Sequence, residues 1–260
     1  MIHGALDKSY WGMDLMSDMR HQADDKSEPT ISVIVPSYNE EACLQDTVAE
    51  IRESLQAAQI SFEIVIVDDG STDATPAIAQ DLAQDENIRV HHLAQNSGMG
   101  AAMRAGVQEA VGLWMCFLPA DGQFPATELV KLYERSEGAH AVAGEVSVRG
   151  RAQSDDLLRV ALSKGLRFSM RLAHPRMPKF NGILLVKREL VQSMNLVGAT
   201  GFVHMEILDR IRRTQKKFEL RYVPIELQAR TGGTSKTANI KTILAVTADI
   251  VRLRKSYFFS

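Results

Sequence analysis

The sequence predicts an α/β fold, a mostly parallel central sheet with helices on both faces, on three observations. Short β-rich apolar runs alternate with stretches of helical apolar spacing from Ile31 to Leu118. The runs lack polar alternation, as strands buried on both faces do. Two of them lead into aspartate and glycine: Glu63–Val67 into Asp68-Asp69-Gly70, and Leu113–Leu118 into Pro119-Ala120-Asp121-Gly122. Ligands of open α/β sheets bind just outside the carboxyl ends of the strands. Two separate strands therefore deliver carboxylates to one edge.

The elements follow in order. Ile31–Val35 is a strand stopped by Pro36. Between Glu41 and Leu55, the residues Cys43, Leu44, Val48, Ile51 and Leu55 form one helical stripe. A second strand ends at Asp68, and Asp73 caps a helix containing Ile78 and Leu82. Ile88–Leu93 is a third strand. A helix from about Gly100 to Val111 leads to the fourth, Leu113–Leu118, and another helix begins near Pro125. Ala139–Val148 is a further strand. The later chain is mixed: Asp155–Leu172 helical, Gly182–Val186 extended, Val203–Arg213 helical, Phe218–Leu227 extended, and a helix from about Ala238 to Tyr257. Residues 1–29 read as a mobile N-terminal extension with one helical turn near Trp11–Met19, 30–237 as one α/β domain, and 238–260 as an amphipathic helix.

With 260 residues, 45% hydrophobic and 24% charged, the chain has the composition of one large globular domain. A formal net charge of -2 supplies no basic field, so no nucleic-acid partner is expected. Cys43 and Cys116 fall in core segments and read as buried reduced thiols, which fits a reducing compartment. No apolar run approaches the roughly 18 residues that span a bilayer, and the first residues lack the basic-then-apolar order of a secretory signal. The expected location is cytoplasmic, peripheral on the inner face of a membrane.

The motifs carry more than the strands do. Val-Ile-Val-Pro-Ser-Tyr-Asn-Glu-Glu, from Val33, is followed by Val-Asp-Asp-Gly-Ser-Thr-Asp, from Val67. Then come Asn96-Ser97-Gly98-Met99-Gly100 and Ala120-Asp121-Gly122-Gln123. This combination resembles the inverting family 2 glycosyltransferases, from Ile31 to about Lys236. Asp-Gly-Gln and the segment Arg230-Thr-Gly-Gly-Thr-Ser-Lys236 look most like the polyprenyl-phosphate branch, the dolichyl-phosphate mannose synthase type. The fold the resemblance implies is GT-A, Rossmann-like, which makes 30–237 a GT-A glycosyltransferase domain.

Roles follow from the resemblance by position. Pro36, Tyr38 and Glu40 would line the nucleotide base and ribose, and Asp69 would hydrogen-bond the base. Asp121, with Gln123 beside it, would hold Mg²⁺ or Mn²⁺ on the diphosphate of a nucleotide-diphosphate sugar, so Asp121 counts as both a metal and a catalytic residue. A hard cation on oxygen ligands neutralises the charge of a departing diphosphate. Gly98 opens a helix, where glycine lets the backbone approach phosphate and the helix start adds favourable partial charge. Two departures stand out. Pro119 occupies the place of the first carboxylate of the family's Asp-x-Asp, leaving Asp121 alone. Met99 stands where the family often has a basic residue. A single-carboxylate site is workable for Mg²⁺, which keeps phosphates and waters as ligands.

On the acceptor side the resemblance points to Arg151, Arg159, Arg230, Ser235 and Lys236 as ligands of an acceptor phosphate, with Arg149 competing for the place of Arg151. Arginine forks suit phosphate. Arg104 either reaches the site edge or lies on a solvated face. Glu206, in His204-Met205-Glu206, falls where the wider family carries its catalytic acid. A hydroxyl nucleophile needs a general base, whereas a phosphate oxygen is already charged. Two amphipathic stretches, near Leu158–Leu172 and Ile240–Lys255, have the character of interfacial helices or of helices packed on the sheet. The leading expectation is transfer of a sugar from a nucleotide-diphosphate sugar to a polyprenyl-phosphate-type lipid at a membrane surface. One alternative is a sugar or glycolipid hydroxyl acceptor. The other is a sugar-nucleotide-binding protein with degraded catalysis.

Overall fold

Strand β1 (Ile31–Ser37) is buried along its whole length, flanked in parallel by β2 (Phe62–Asp68) and β4 (Trp114–Phe117). The computed structural model describes residues 28–146, 177–178, 180–228 and 240–257, with backbone alone at 240–243. In it, seven strands form one sheet in the order β3-β2-β1-β4-β6-β5-β7. The remaining strands are β3 (Ile88–His92), β5 (Ala141–Val146), β6 (Leu184–Lys187) and β7 (Leu220–Ile225). β6 runs antiparallel to both its neighbours, β4 and β5, and every other pairing is parallel.

Both faces of the sheet are covered, which is why the strands read as unbroken apolar runs. Val33, Val35, Ile64 and Ile66 face a cluster with Leu44, Val48, Ile51 and Leu55 of α1 (Leu44–Ala57). Ala79 of α2 (Thr75–Leu82) and Leu129 and Leu132 of α4 (Ala126–Glu134) complete it. Ile34, Val65 and Val67 face the other way. They meet Met103 and Val107 of α3 (Met99–Glu109) and Val203, Ile207 and Ile211 of α5 (Val203–Thr214). Each large aliphatic side chain so buried contributes about 1.5–3 kcal/mol. Phe202, Ile250 and Leu253 form a third cluster, which seats the last described helix, α6 (Ile240–Ser256), beside α5.

The predicted elements all form where they fall on described residues. The helix expected over Asp155–Leu172 lies outside them. Pro36 does not stop β1, which continues through it to Ser37. Its carbonyl accepts from the amide of Ala120 (3.4 Å), so its own missing N–H faces β4, beyond that strand's last ladder pair, Ile34 with Phe117. β1 tolerates the lost donor because its other edge keeps the full ladder with β2, from Ile31 with Phe62 to Ser37 with Asp68. α2 starts at Thr75, whose amide donates to Asp73 Oδ1 (3.0 Å). At the start of the described residues the Pro29 carbonyl accepts from the Leu113 amide (3.0 Å), and the helical turn expected near Trp11–Met19 lies outside them. Cys43 and Cys116 are buried free thiols, and burial pushes the Cys116 thiol far up.

Candidate active site

Because β1, β2, β3 and β4 are parallel, their carboxyl ends open on one edge. The loops after β1 and β2 are laced together there. The Asp69 amide donates to the Ser37 carbonyl (2.9 Å). The Asn39 amide donates to Ser71 Oγ (2.9 Å), and Asn39 Oδ1 accepts from the Thr72 amide (2.9 Å). The Glu40 amide donates to Thr75 Oγ1 (2.8 Å), and Glu41 Oε2 accepts from the Ala74 amide (2.9 Å). The two sequence motifs thus form one wall. Pro36 is buried beneath it, with Tyr38 and Glu40 half-buried upon it.

Asp68 and Asp69 divide their work. Asp68 accepts from the Ser71 amide (3.0 Å) and pairs with His92 Nδ1 (3.1 Å), bracing its own turn against β3. Asp69 is buried, and its two oxygens accept from the amides of Ser97 (2.7 Å) and Gly98 (2.8 Å). Its carboxylate therefore shapes the loop that opens α3. Gly98 holds a φ of 90°, a left-handed value that other residues adopt only with strain. At Gly100 the next wall arrives. A Cβ there would lie 2.4 Å from the Ala199 carbonyl carbon, and the Gly100 amide donates to Ala199 O (3.1 Å). Arg104 donates to the Gly198 carbonyl, so it ties this wall down rather than lying on a solvated face. Met99 stays 45% exposed at the helix start.

Asp121 follows β4 and is buried, with 8% of its surface exposed. Its Oδ1 accepts from the Gln123 amide (3.1 Å), and Gly122 turns the chain with φ 67°. Gln228, just after β7, holds this turn through Gly122 O (2.8 Å) and Gln123 O (3.1 Å). The donors here are a carboxylate and an amide oxygen, hard ligands that suit Mg²⁺ or Mn²⁺ completed by phosphate and water. Among the described residues no group of three or more His, Cys, Asp or Glu gathers for a metal. The donor set fits a cation held largely by its substrate, with Asp121 as its protein carboxylate.

Glu206 is fully buried on α5. It accepts from the amides of Val197 (3.0 and 3.1 Å) and Gly198 (2.8 Å) and from Arg210 Nε (2.8 Å). Expected as a catalytic acid or base, it has both oxygens engaged, by the wall that faces Gly100 and by Arg210. His204 lies between the rings of Phe117 (5.1 Å, edge-on) and Phe180 (4.9 Å, stacked). Its Nδ1 lies 3.1 Å from the Gly201 carbonyl. Burial lowers its pKa from 6.5 to about 4. The unfolded state then binds a proton between those values that the folded state refuses, so stability falls as pH drops from about 6.5 to 4. The stability difference between wild type and His204→Gln, measured by urea unfolding, is expected to narrow by about 2 kcal/mol between pH 7 and pH 4.5.

Arg151, Arg159, Arg230, Ser235 and Lys236 lie outside the described residues, as does Arg149. Sequence reasoning missed Asp249, a buried acid on α6 that accepts from the amides of Ala199 and Thr200. The signal for it was a lone acid in an otherwise basic, apolar helix. It missed Gln228 as well, for which the local sequence held no signal.

Comparison with known proteins bears on this edge. The family model for glycosyl transferase family 2 matches residues 32–211. Dolichol-phosphate mannosyltransferase of Pyrococcus furiosus is 31% identical over 86% of this chain and 64% of its own length. Undecaprenyl-phosphate 4-deoxy-4-formamido-L-arabinose transferase of Pectobacterium carotovorum is 32% identical over 63% of this chain and 50% of its own. The chain thus spans about half to two thirds of these relatives. Among solved structures, mannosyl-3-phosphoglycerate synthase from Rubrobacter xylanophilus superposes with a TM-score of 0.67 at 18% identity, over 89% of this chain and 76% of that one. Glucosyl-3-phosphoglycerate synthase from Mycobacterium tuberculosis, in complex with Mn²⁺, uridine diphosphate and phosphoglyceric acid, gives 0.64 at 19% identity, over 87% and 78%. These two likenesses carry the GT-A fold.

Proposed function

The chain belongs to glycosyl transferase family 2, and from that premise we propose that it moves a sugar, with inversion, from a nucleotide-diphosphate sugar to a polyprenyl-phosphate-type lipid. One observation carries the reading: the Asp69-braced Gly98 loop, the start of α3 and Asp121 share the edge at the carboxyl ends of the parallel strands. That edge offers backbone amides and a helix start to a diphosphate, with a carboxylate beside them. The relatives named for dolichol-phosphate and undecaprenyl-phosphate transfer support the acceptor class.

In the proposed reaction an oxygen of the acceptor phosphate attacks the anomeric carbon. The bond from that carbon to the diphosphate oxygen breaks on the opposite face, and the nucleoside diphosphate leaves with the electron pair. Tyr38 and Glu40, with Pro36 packed beneath them, form the wall for base and ribose, and Asp69 holds the loop that receives the phosphates. A divalent cation, Mg²⁺ or Mn²⁺, held by Asp121 with Gln123 at its side, would neutralise charge developing on the leaving group. The phosphate nucleophile is charged at neutral pH and needs no base. The engagement of Glu206 within the protein supports this acceptor over a hydroxyl, which would need that carboxylate uncovered. Arg151, Arg159, Arg230, Ser235 and Lys236 are proposed to hold the acceptor phosphate.

A membrane surface is proposed as the meeting place. Leu244 and Val251 are exposed on α6, with Arg252, Arg254 and Lys255 exposed near its end, a combination that suits an anionic lipid face. No described helix is long and apolar enough to cross a membrane.

The test is a thermal-shift panel of nucleotide sugars with Mg²⁺ or Mn²⁺, followed by transfer to polyprenyl phosphate in micelles. A ligand that binds the folded state alone at a hundred times its Kd stabilises by about 2.7 kcal/mol. One nucleotide class is expected to raise Tm by several degrees in the presence of metal and to support transfer. Folded protein that neither shifts nor transfers with any donor overturns the reading. Binding without turnover on any acceptor supports a sugar-nucleotide-binding protein instead.

A further inference from the structure

We propose that Asp249, on α6, is a positioning residue for transfer. It holds the segment Val197–Thr200 against the Gly98–Gly100 loop, so that α6 completes the donor site. The inference rests on the reading above that places the donor diphosphate at that loop.

Four successive backbone amides, those of Val197, Gly198, Ala199 and Thr200, point at two carboxylates. Glu206 takes the first two. Asp249 takes the second two, at 3.0 Å from Ala199 and 2.9 Å from Thr200, and also accepts from Thr200 Oγ1 at 2.8 Å. Both acids are 0% exposed. A buried carboxylate is tolerable only when hydrogen bonds and opposite charge surround it. Asp249 has these donors and Arg252 Nη1 at 2.8 Å. Successive amides aimed at one place make an anion-binding concavity, and here the anion is the protein's own.

The other side of the same segment faces the donor loop. The Ala199 carbonyl accepts from the Gly100 amide, and the Gly198 carbonyl accepts from Arg104. The contact at Gly100 leaves no room for a Cβ. A few tenths of an ångström of movement in the segment is therefore passed to the start of α3. The line runs from Asp249 through Ala199 to Gly100, and from Gly98 to Asp69. The helix is separately anchored by Ile250 and Leu253, and at its end by Ser256 with Arg210 (3.0 Å) and Tyr257 with Asp209 (2.8 Å). Loss of the Asp249 charge thus leaves the helix a seat.

The experiment compares wild type, Asp249→Asn and Leu253→Ala as full-length chains. It measures Tm, backbone amide exchange, the Kd of nucleoside diphosphate with Mn²⁺, and KM and kcat for the donor. Misplacement by about 1 Å costs about a hundredfold in rate, which bounds the effect of a smaller shift. Asp249→Asn is expected to speed exchange at 199–200 and at 98–100, to weaken nucleoside diphosphate binding about tenfold, and to lower kcat/KM by ten- to a hundredfold. Leu253→Ala, which loosens the helix without touching the segment, is expected to lower Tm while leaving KM within about twofold. Faster exchange at 199–200 alone overturns the coupling, as does an Asp249→Asn enzyme that only melts earlier and keeps its Kd and KM. A wild type that binds no nucleotide tells against the proposed function instead, and the exchange arm still decides whether Asp249 governs the loop.

Discussion

Asp121→Ala is expected to lower kcat/KM for glycosyl transfer by about a thousandfold or more, the loss seen when a preorganised stabiliser of developing charge is removed. Asp121 is the carboxylate at the tip of β4, because Pro119 stands where a second would be. Among the described residues no group of three or more His, Cys, Asp or Glu gathers there. The fold should survive. The Gln123 amide donates to Asp121, and Gln228 independently holds the Gly122–Gln123 turn. A change of about 1 kcal/mol in stability is therefore expected. Transfer assays with a Mn²⁺ titration, alongside unfolding curves, check both parts. Activity within tenfold of wild type would remove Asp121 from the chemistry.

Glu206→Ala is expected to destabilise the protein by about 3–5 kcal/mol, which lowers Tm by about 10 °C. The substitution strands Arg210, whose side chain is only 14% exposed, and leaves the amides of Val197 and Gly198 without an acceptor. Glu206→Gln is the informative partner. The amide keeps an acceptor oxygen while removing the charge and any capacity to act as a base. Loss of a general base costs about 10²–10⁴ in rate. Glu206→Gln is expected to transfer to polyprenyl phosphate within about tenfold of wild type, consistent with a positioning role. A loss near 10⁴ with intact folding would make Glu206 a base and shift the acceptor to a hydroxyl.

The first four strands and their helices were legible because burial on both faces leaves a simple mark. Val33 and Val35 face α1 while Ile34 faces α3, so the middle of the strand is apolar on both sides. Strand direction leaves no such mark. Leu184–Lys187 reads as an apolar run whichever way it points, and only the assembled sheet shows β6 antiparallel between β4 and β5. Pro36 misled by the same route. Whether a missing N–H ends a strand depends on the strand's other edge, and here β2 stays paired with β1 through Pro36 to Ser37.

By itself the sequence determined the α/β alternation, the family motifs, the placing of Asp69 and Asp121 at strand tips and that of Gly98 at a helix start, since each follows from local periodicity or short spacing. The partners those residues take were decided only by the tertiary structure. Asp69, expected to read a nucleotide base, holds the amides of Ser97 and Gly98. Glu206, expected to catalyse, holds Val197 and Gly198. Asp249, on a helix expected to be an amphipathic appendage, holds Ala199 and Thr200 from some fifty positions away in the chain. The physical reason is common to all three. A buried carboxylate must find donors wherever packing brings them, and which backbone amides are left unpaired nearby is a property of the closed fold rather than of any stretch of sequence.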